Sequence, residues 1–171
     1  MDLRIHSFLF LSFLFGLLGC ASVSRYQPAQ VTAPASVKVD SNREVSVSKV
    51  LFQFELKQID INTLLEVEVT NQESTTKSVG FADIVLTTAG TKLLPVKKVG
   101  RYDASGKYVP MKSPKEKFEL KEGESAKVIY TFQGPPPNPD EAAPPQSFKL
   151  KGHIASGDKK APVSIEFAGT P

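Results

Sequence analysis

Few side chains in this sequence are equipped for covalent or metal chemistry. The 171 residues hold one cysteine, Cys20, and two histidines, His6 and His153. A thiol nucleophile needs a histidine partner, and a zinc site needs several closely spaced Cys or His ligands. Cys20 and His6 both belong to an N-terminal apolar segment described below, which leaves His153 alone. A Ser–His–Asp set is formally available, but the G-x-S-x-G turn that exposes a nucleophilic serine does not occur. His153 alternates with Gly152 and Ile154 in an apolar row begun by Phe148 and Leu150, so strand parity turns it to solvent beside Lys149 and Lys151. Asp60-Ile61-Asn62 and Asp103-Ala104-Ser105-Gly106 begin like calcium loops but lack the later ligands, and read as turns. Glu66 and Glu68 share the outward side of a strand and read as solvated charges. These residues point to a protein that is not an enzyme and takes no cofactor.

Binding is better supplied. Between Lys97 and Lys117 stand Lys97, Lys98, Arg101, Lys107, Lys112, Lys115 and Lys117, against only Asp103 and Glu116. The local charge of +5 exceeds the +3 of the whole chain. Tyr102 and Tyr108 lie in the same stretch. Read as a loop, it suits an anionic envelope component, such as lipid phosphate or an acidic glycan, or an envelope protein. A solvated loop whose charges aid solubility is the plainer alternative. A second stretch, Gly134 to Pro145, holds six of the thirteen prolines. It reads as a stiff connection between strands, with a partner-binding ridge as the alternative.

The elements that must position these residues are strands. Leu65, Val67 and Val69 alternate with Glu66, Glu68 and Thr70; Ala126, Val128, Tyr130 and Phe132 alternate likewise, as do Val163, Ile165 and Phe167. Parity changes between Val47 and Phe52 predict a bulge or short turn near Ser48 to Val50, and those between Phe81 and Ile84 predict a bulge near Asp83. Ala89-Gly90-Thr91 reads as a hairpin turn, and Pro95 marks the strand after it as an edge. No segment has helical periodicity. The expected fold is all-β, an immunoglobulin-like antiparallel β-sandwich of about eight strands over residues 43–169.

Residues Phe8 to Leu18 are almost wholly apolar and end at Leu17-Leu18-Gly19-Cys20. Eleven helical residues span about 16 Å, roughly half a bilayer core, so the run suits a signal peptide and not a membrane span. The four closing residues resemble the bacterial lipobox. The resemblance implies a lipoprotein signal peptide over 1–19 and acylation of Cys20, with palmitate-type chains holding the protein to a membrane. Ala21 and Ser22 follow the cysteine in place of the aspartate that marks inner-membrane retention, which implies an outer-membrane destination. Residues 20–42, rich in Ser, Ala, Gln and Pro, read as a flexible tether. Nucleic acid is excluded as a partner by that compartment.

Two fainter resemblances concern the domain. Glu66-Val67-Glu68-Val69-Thr70-Asn71 and Leu120-Lys121-Glu122-Gly123-Glu124-Ser125 resemble a strand end and a turn of small immunoglobulin-like bacterial envelope domains, mostly of unknown activity. Leu150-Lys151-Gly152 and the closing Pro162 to Gly169 resemble the late-embryogenesis-abundant, desiccation-type sandwich, although that family's Asn-Pro is Asn71-Gln72 here. The expectation is a lipid-anchored envelope protein acting as a binding or assembly module. A structural or stress-protective lipoprotein without a specific partner is the alternative, with an envelope hydrolase behind both.

Overall fold

The computed structural model describes residues 23–41, 43–88, 93–133 and 147–169. Among them thirteen strands follow one another: β1 (Val23–Thr32), β2 (Lys38–Val39), β3 (Val45–Val47), β4 (Val50–Ile59), β5 (Asn62–Asn71), β6 (Lys77–Thr88), β7 (Leu93–Leu94), β8 (Val96–Tyr102), β9 (Tyr108–Pro110), β10 (Phe118–Leu120), β11 (Ser125–Gln133), β12 (Ser147–Ser156) and β13 (Lys159–Gly169). All the pairings are antiparallel, in the order β10-β6-β12-β13-β1-β4-β5-β11-β8-β9, with β3 added to β4, β2 to β3 and β7 to β6.

The sheet curls until its two halves face each other. Phe81 of β6 meets Phe52 of β4 and Tyr130 of β11 edge-on, with ring centroids 5.9 and 6.0 Å apart. The alternating rows Leu65–Val67–Val69, Val128–Tyr130–Phe132 and Val163–Ile165–Phe167 all point into this core. The all-β, sandwich-like antiparallel class follows from that alternation. The strand number is higher than expected because β2, β3, β7, β9 and β10 have two or three residues each, too few to display a period.

The expected tether is corrected. Val23–Thr32 is a strand paired within the sheet, so the domain takes in residues before 43. β1 is the corner of the curled sheet: Val23–Tyr26 pair with β4, and Tyr26–Thr32 pair with β13. The change of partner falls at Tyr26, and within the β13 pairing the register shifts between Pro28 and Gln30, beside a proline that lacks a ladder donor. Tyr26 anchors the corner, its ring edge-on to Phe148 at 4.9 Å and its hydroxyl donating to Gln58 Oε1 at 3.3 Å.

The bulge near Asp83 is present. Lys151 and His153 stand opposite Val85 and Ala82, so β6 carries one extra residue, and Asp83 has a left-handed φ of 55°. Ser48 and Lys49, also left-handed, form a tight turn between β3 and β4. Pro95 does not sit in an edge strand: it separates β7, which pairs with β6, from β8, which pairs with β11. It marks where the chain crosses between the halves. The Gly90 turn, the proline-rich stretch and the signal with Cys20 lie outside the described residues.

Candidate functional site

The cations expected in one loop are divided between two places. Lys97, Lys98, Arg101 and Tyr102 belong to β8, Lys107 to the turn after it and Tyr108 to β9. Asp103 closes that turn: its Oδ1 accepts from the amides of Ser105 and Lys107, both at 3.0 Å, and from the Ser105 hydroxyl at 2.6 Å. These donors hold the Asp103 carboxyl below its ordinary range, with the Ser105 hydroxyl foremost. Asp103 is therefore a turn residue, as its sequence context implies.

On the outer side of this hairpin the two exposed tyrosines meet edge-on, centroids 5.4 Å apart, and the Lys98 ammonium lies 5.2 Å from the Tyr108 ring centre. The Tyr108 ring lies over Gly100, where a Cβ would come within 2.2 Å of the phenol oxygen. Arg101 points the other way, its guanidinium 5.1 Å from the ring centre of Phe118 on β10, where the two ends of the curled sheet come together. Lys97 and Lys107 are exposed.

The remaining cations belong to a second surface. Glu116 accepts from the Lys112 amide at 2.6 Å and shapes the segment before β10. That segment carries Lys115 to within 3.2 Å of Asp83 Oδ1, and the stem of Lys117 crosses Gly80, where a Cβ would sit 2.9 Å from its Cγ. From the opposite side come His153, whose Nδ1 lies 3.3 Å from Asp83 Oδ2, and Lys160 at 3.7 Å from the same oxygen. Asp83 thus stands among three basic side chains from three separate segments. Its carboxyl is held below the ordinary range, by the Lys115 hydrogen bond first and by the charges of Lys115, Lys160 and His153.

Beside this cluster runs an open groove of about 390 Å³, lined by Gly80, Phe81 and Ala82 of β6, by Lys115 and Lys117, by His153 and Ala155 of β12, and by the Gly157–Lys160 turn. A second concavity of about 490 Å³ opens on the far side of Asp83 and His153, walled by Ala33, Pro34, Pro162 and Val163.

His153 is on the outward face, as parity predicts, but it is not free in solvent. Its side chain is 35% exposed, and the Nδ1 is buried against Asp83 in an orientation too poorly aligned for a hydrogen bond. Among the described residues no hydroxyl hydrogen-bonds this imidazole, and no group of three His, Cys, Asp or Glu side chains could hold a metal. The arrangement concentrates basic side chains around one carboxylate. Glu66 also departs from expectation. It is an ion-pair centre between Lys57 at 3.0 Å and Lys127 at 3.4 Å, while Glu68 is exposed.

Asp83, Lys159 and Lys160 are the residues that sequence reading left out. The parity change at Asp83 was their one visible signal, and it marked a bulge without naming what the bulge aims at.

The opposite end of the domain has a different character. Val23 pairs with Ile59, and the β4–β5 turn beside them carries Ile61; Val23 is 50% and Ile61 40% exposed. No helix among the described residues is long and apolar enough to cross a membrane.

No family model and no curated protein matches the chain. Among solved structures, it is similar to the KRT10-binding region domain of the pneumococcal serine rich repeat protein PsrP, at 12% identity and a TM-score of 0.44, over 81% of this chain and 90% of that one. The likeness is one of β-rich fold.

Proposed function

We propose that the protein is a bacterial lipoprotein held at the outer membrane by acyl chains on Cys20, and that its β-domain is a non-enzymatic binding module for an envelope component. The observation that supports this reading best is the placement of the two ends. Val23 enters the sheet three residues after Cys20, so the domain sits within about 11 Å of the acylated residue. Each buried acyl methylene contributes about 0.8 kcal/mol, so two or three chains hold the protein permanently.

The basic groove lies at the other end. Along β13, His153's partner Pro162 is seven residues from Gly169, and Lys159 is ten, while Gly169 pairs with Tyr26 near the start of β1. At about 3.3 Å per residue these steps place the basic groove roughly 23–33 Å from the Gly169 end. Charges on the anchoring bilayer are screened within about 8 Å at physiological salt. The groove therefore faces away from the lipid that holds the protein, toward a separate partner.

The test is crosslinking in intact cells from a photoreactive residue at Tyr108 or at Lys117, with mass spectrometry of the N-terminal peptide of the same protein. The reading expects a diacylglyceryl-modified Cys20 and one dominant adduct from either position. An unmodified N-terminus would remove the anchor, and the absence of any adduct would favour a structural role.

A further inference from the structure

Going deeper into that reading, we infer that the groove between β6 and the Gly157–Lys160 turn is a site for a phosphate dianion, such as a terminal phosphomonoester. The inference rests on the binding-module reading for its biological sense, but its geometry stands on the groove alone.

The charge balance is specific. Lys115, Lys117, Lys159 and Lys160 line the groove with Asp158, and Asp83 stands just beyond it in contact with Lys115 and Lys160. Asp83 is shared between Lys115 and Lys160, whereas Lys117 and Lys159 have no carboxylate within 4.0 Å among the described residues. Two positive charges are left uncompensated. A phosphomonoester carries a charge of about −1.5 to −2 at pH 7 and matches them, where one carboxylate would neutralise only half.

The donors have the right form. Ammonium groups bind phosphate as mobile point charges. Among the described residues no arginine lines the groove, and Arg101 is engaged with Phe118. Ala82 and Ala155 are the small residues of its lining and leave room beside the lysines, while Gly80 lies beneath the Lys117 stem. Asp83 itself, held left-handed at the bulge, has its carboxylate where three basic side chains converge. Its φ of 55° lies in the left-handed region, which Asp tolerates better than most residues. Asp83 acts as a resident counterion that keeps Lys115 and Lys160 extended over the groove while no ligand is bound.

The full chain, purified with its anchor in neutral detergent, is titrated with inorganic phosphate, with glycerol phosphate and with phosphatidylcholine vesicles containing phosphatidic acid, following the amide resonances of Gly80 and Gly157. The inference expects saturable shifts at both glycines. A charge-assisted contact contributes about 1.5–3 kcal/mol, so Lys117→Gln with Lys159→Gln should weaken binding by about tenfold or more. Lys38→Gln with Lys49→Gln, two exposed lysines on β2 and the β3–β4 turn, should leave it unchanged. Saturation by the soluble phosphates identifies a free or glycan-borne phosphate, and saturation by vesicles alone identifies a lipid headgroup of another membrane. No saturable shift with any probe, or equal weakening by both double variants, would overturn the site. A partner crosslinked through Tyr108 would survive that failure, which separates it from failure of the binding-module reading.

Discussion

The Lys115 ammonium lies 3.2 Å from the carboxylate of Asp83, across a bulge that turns Asp83 into the left-handed region. This contact ties the segment before β10 to the outer face of β6, and it blocks part of the charge the groove can offer a ligand. Asp83→Asn keeps a residue that tolerates the left-handed region and removes the counterion. The expected outcome is tighter phosphate binding by several-fold, read in the same titration, with little change in thermal midpoint because the pair is exposed. Weaker binding would mean that Asp83 orients the lysines more than it competes with the ligand.

Two glycines separate core packing from surface packing. At Gly152 a Cβ would come 2.5 Å from Ile84 Cδ1 and 3.3 Å from the Ala82 carbonyl oxygen, inside the sheet opposite the bulge. Overpacking of this kind costs about 1–3 kcal/mol, so Gly152→Ala should lower the urea midpoint clearly. At Gly100 the obstacle is the exposed Tyr108 ring, which can swing outward. Gly100→Ala should change the midpoint little while abolishing the Tyr102–Tyr108 contact, seen as loss of the ring-current shifts of both tyrosines.

The strand end at Asn71 and the turn after Leu120 are joined by one side chain. Asn71 is fully buried; its amide donates to the carbonyls of Leu120 at 3.0 Å and Thr75 at 2.8 Å, and its Oδ1 accepts from the Glu73 amide at 3.0 Å. Its backbone exchanges hydrogen bonds with the turn, donating to the Glu124 carbonyl and accepting from the Gly123 amide. Leaving buried polar groups unpaired costs about 1–3 kcal/mol, so Asn71→Ala should destabilise the domain by about that much in chemical denaturation. Asn71→Asp, which keeps the acceptor but loses the donors, should be no milder.

Glu66 gives the fold a dependence on pH. Burial raises its carboxyl, but the hydrogen bond and charge of Lys57 and the charge of Lys127 outweigh that and leave it below the ordinary value of 4.5. Burial likewise lowers Lys57, and its contacts with Glu66 and Glu55 outweigh this to leave it above 10.5. A depressed carboxylate contributes stability that is present above its unfolded value and lost as pH falls through its folded one. For the raised lysine the contribution is present below 10.5 and is lost as pH rises through its folded value. The thermal midpoint should fall as pH drops below about 4.5, and Glu66→Gln should flatten the acid limb. An unaltered limb in that variant would assign the loss to other carboxylates.

The parts of the fold visible in the sequence are those where many apolar residues alternate. β5, β11 and β13 could be read directly, and the break in parity at Asp83 located a bulge. β1 could not be read, because in Val23–Thr32 only Tyr26 and Pro28 are buried, and two inward residues among Ser, Gln and Ala do not make a period. The surface was harder still. Neighbours in the chain grouped Lys97 with Lys117, whereas folding places Lys117 across from Lys159 and leaves Lys98 with Tyr108 on another surface. Charge counting along a chain finds cations but not the counterions that other segments bring to them.

The central claim is that the Val23 end rests near the anchoring bilayer and the basic end faces away. The chain has no tryptophan, so Ile61→Trp and Tyr108→Trp each create a single reporter. Each variant, purified with its anchor, is placed in phosphatidylcholine vesicles that contain lipids brominated along the acyl chain. The account predicts strong quenching and a blue-shifted emission for Trp at position 61, with emission at position 108 unaffected by the bromine. Equal quenching at both positions, or quenching at position 108 alone, would contradict it.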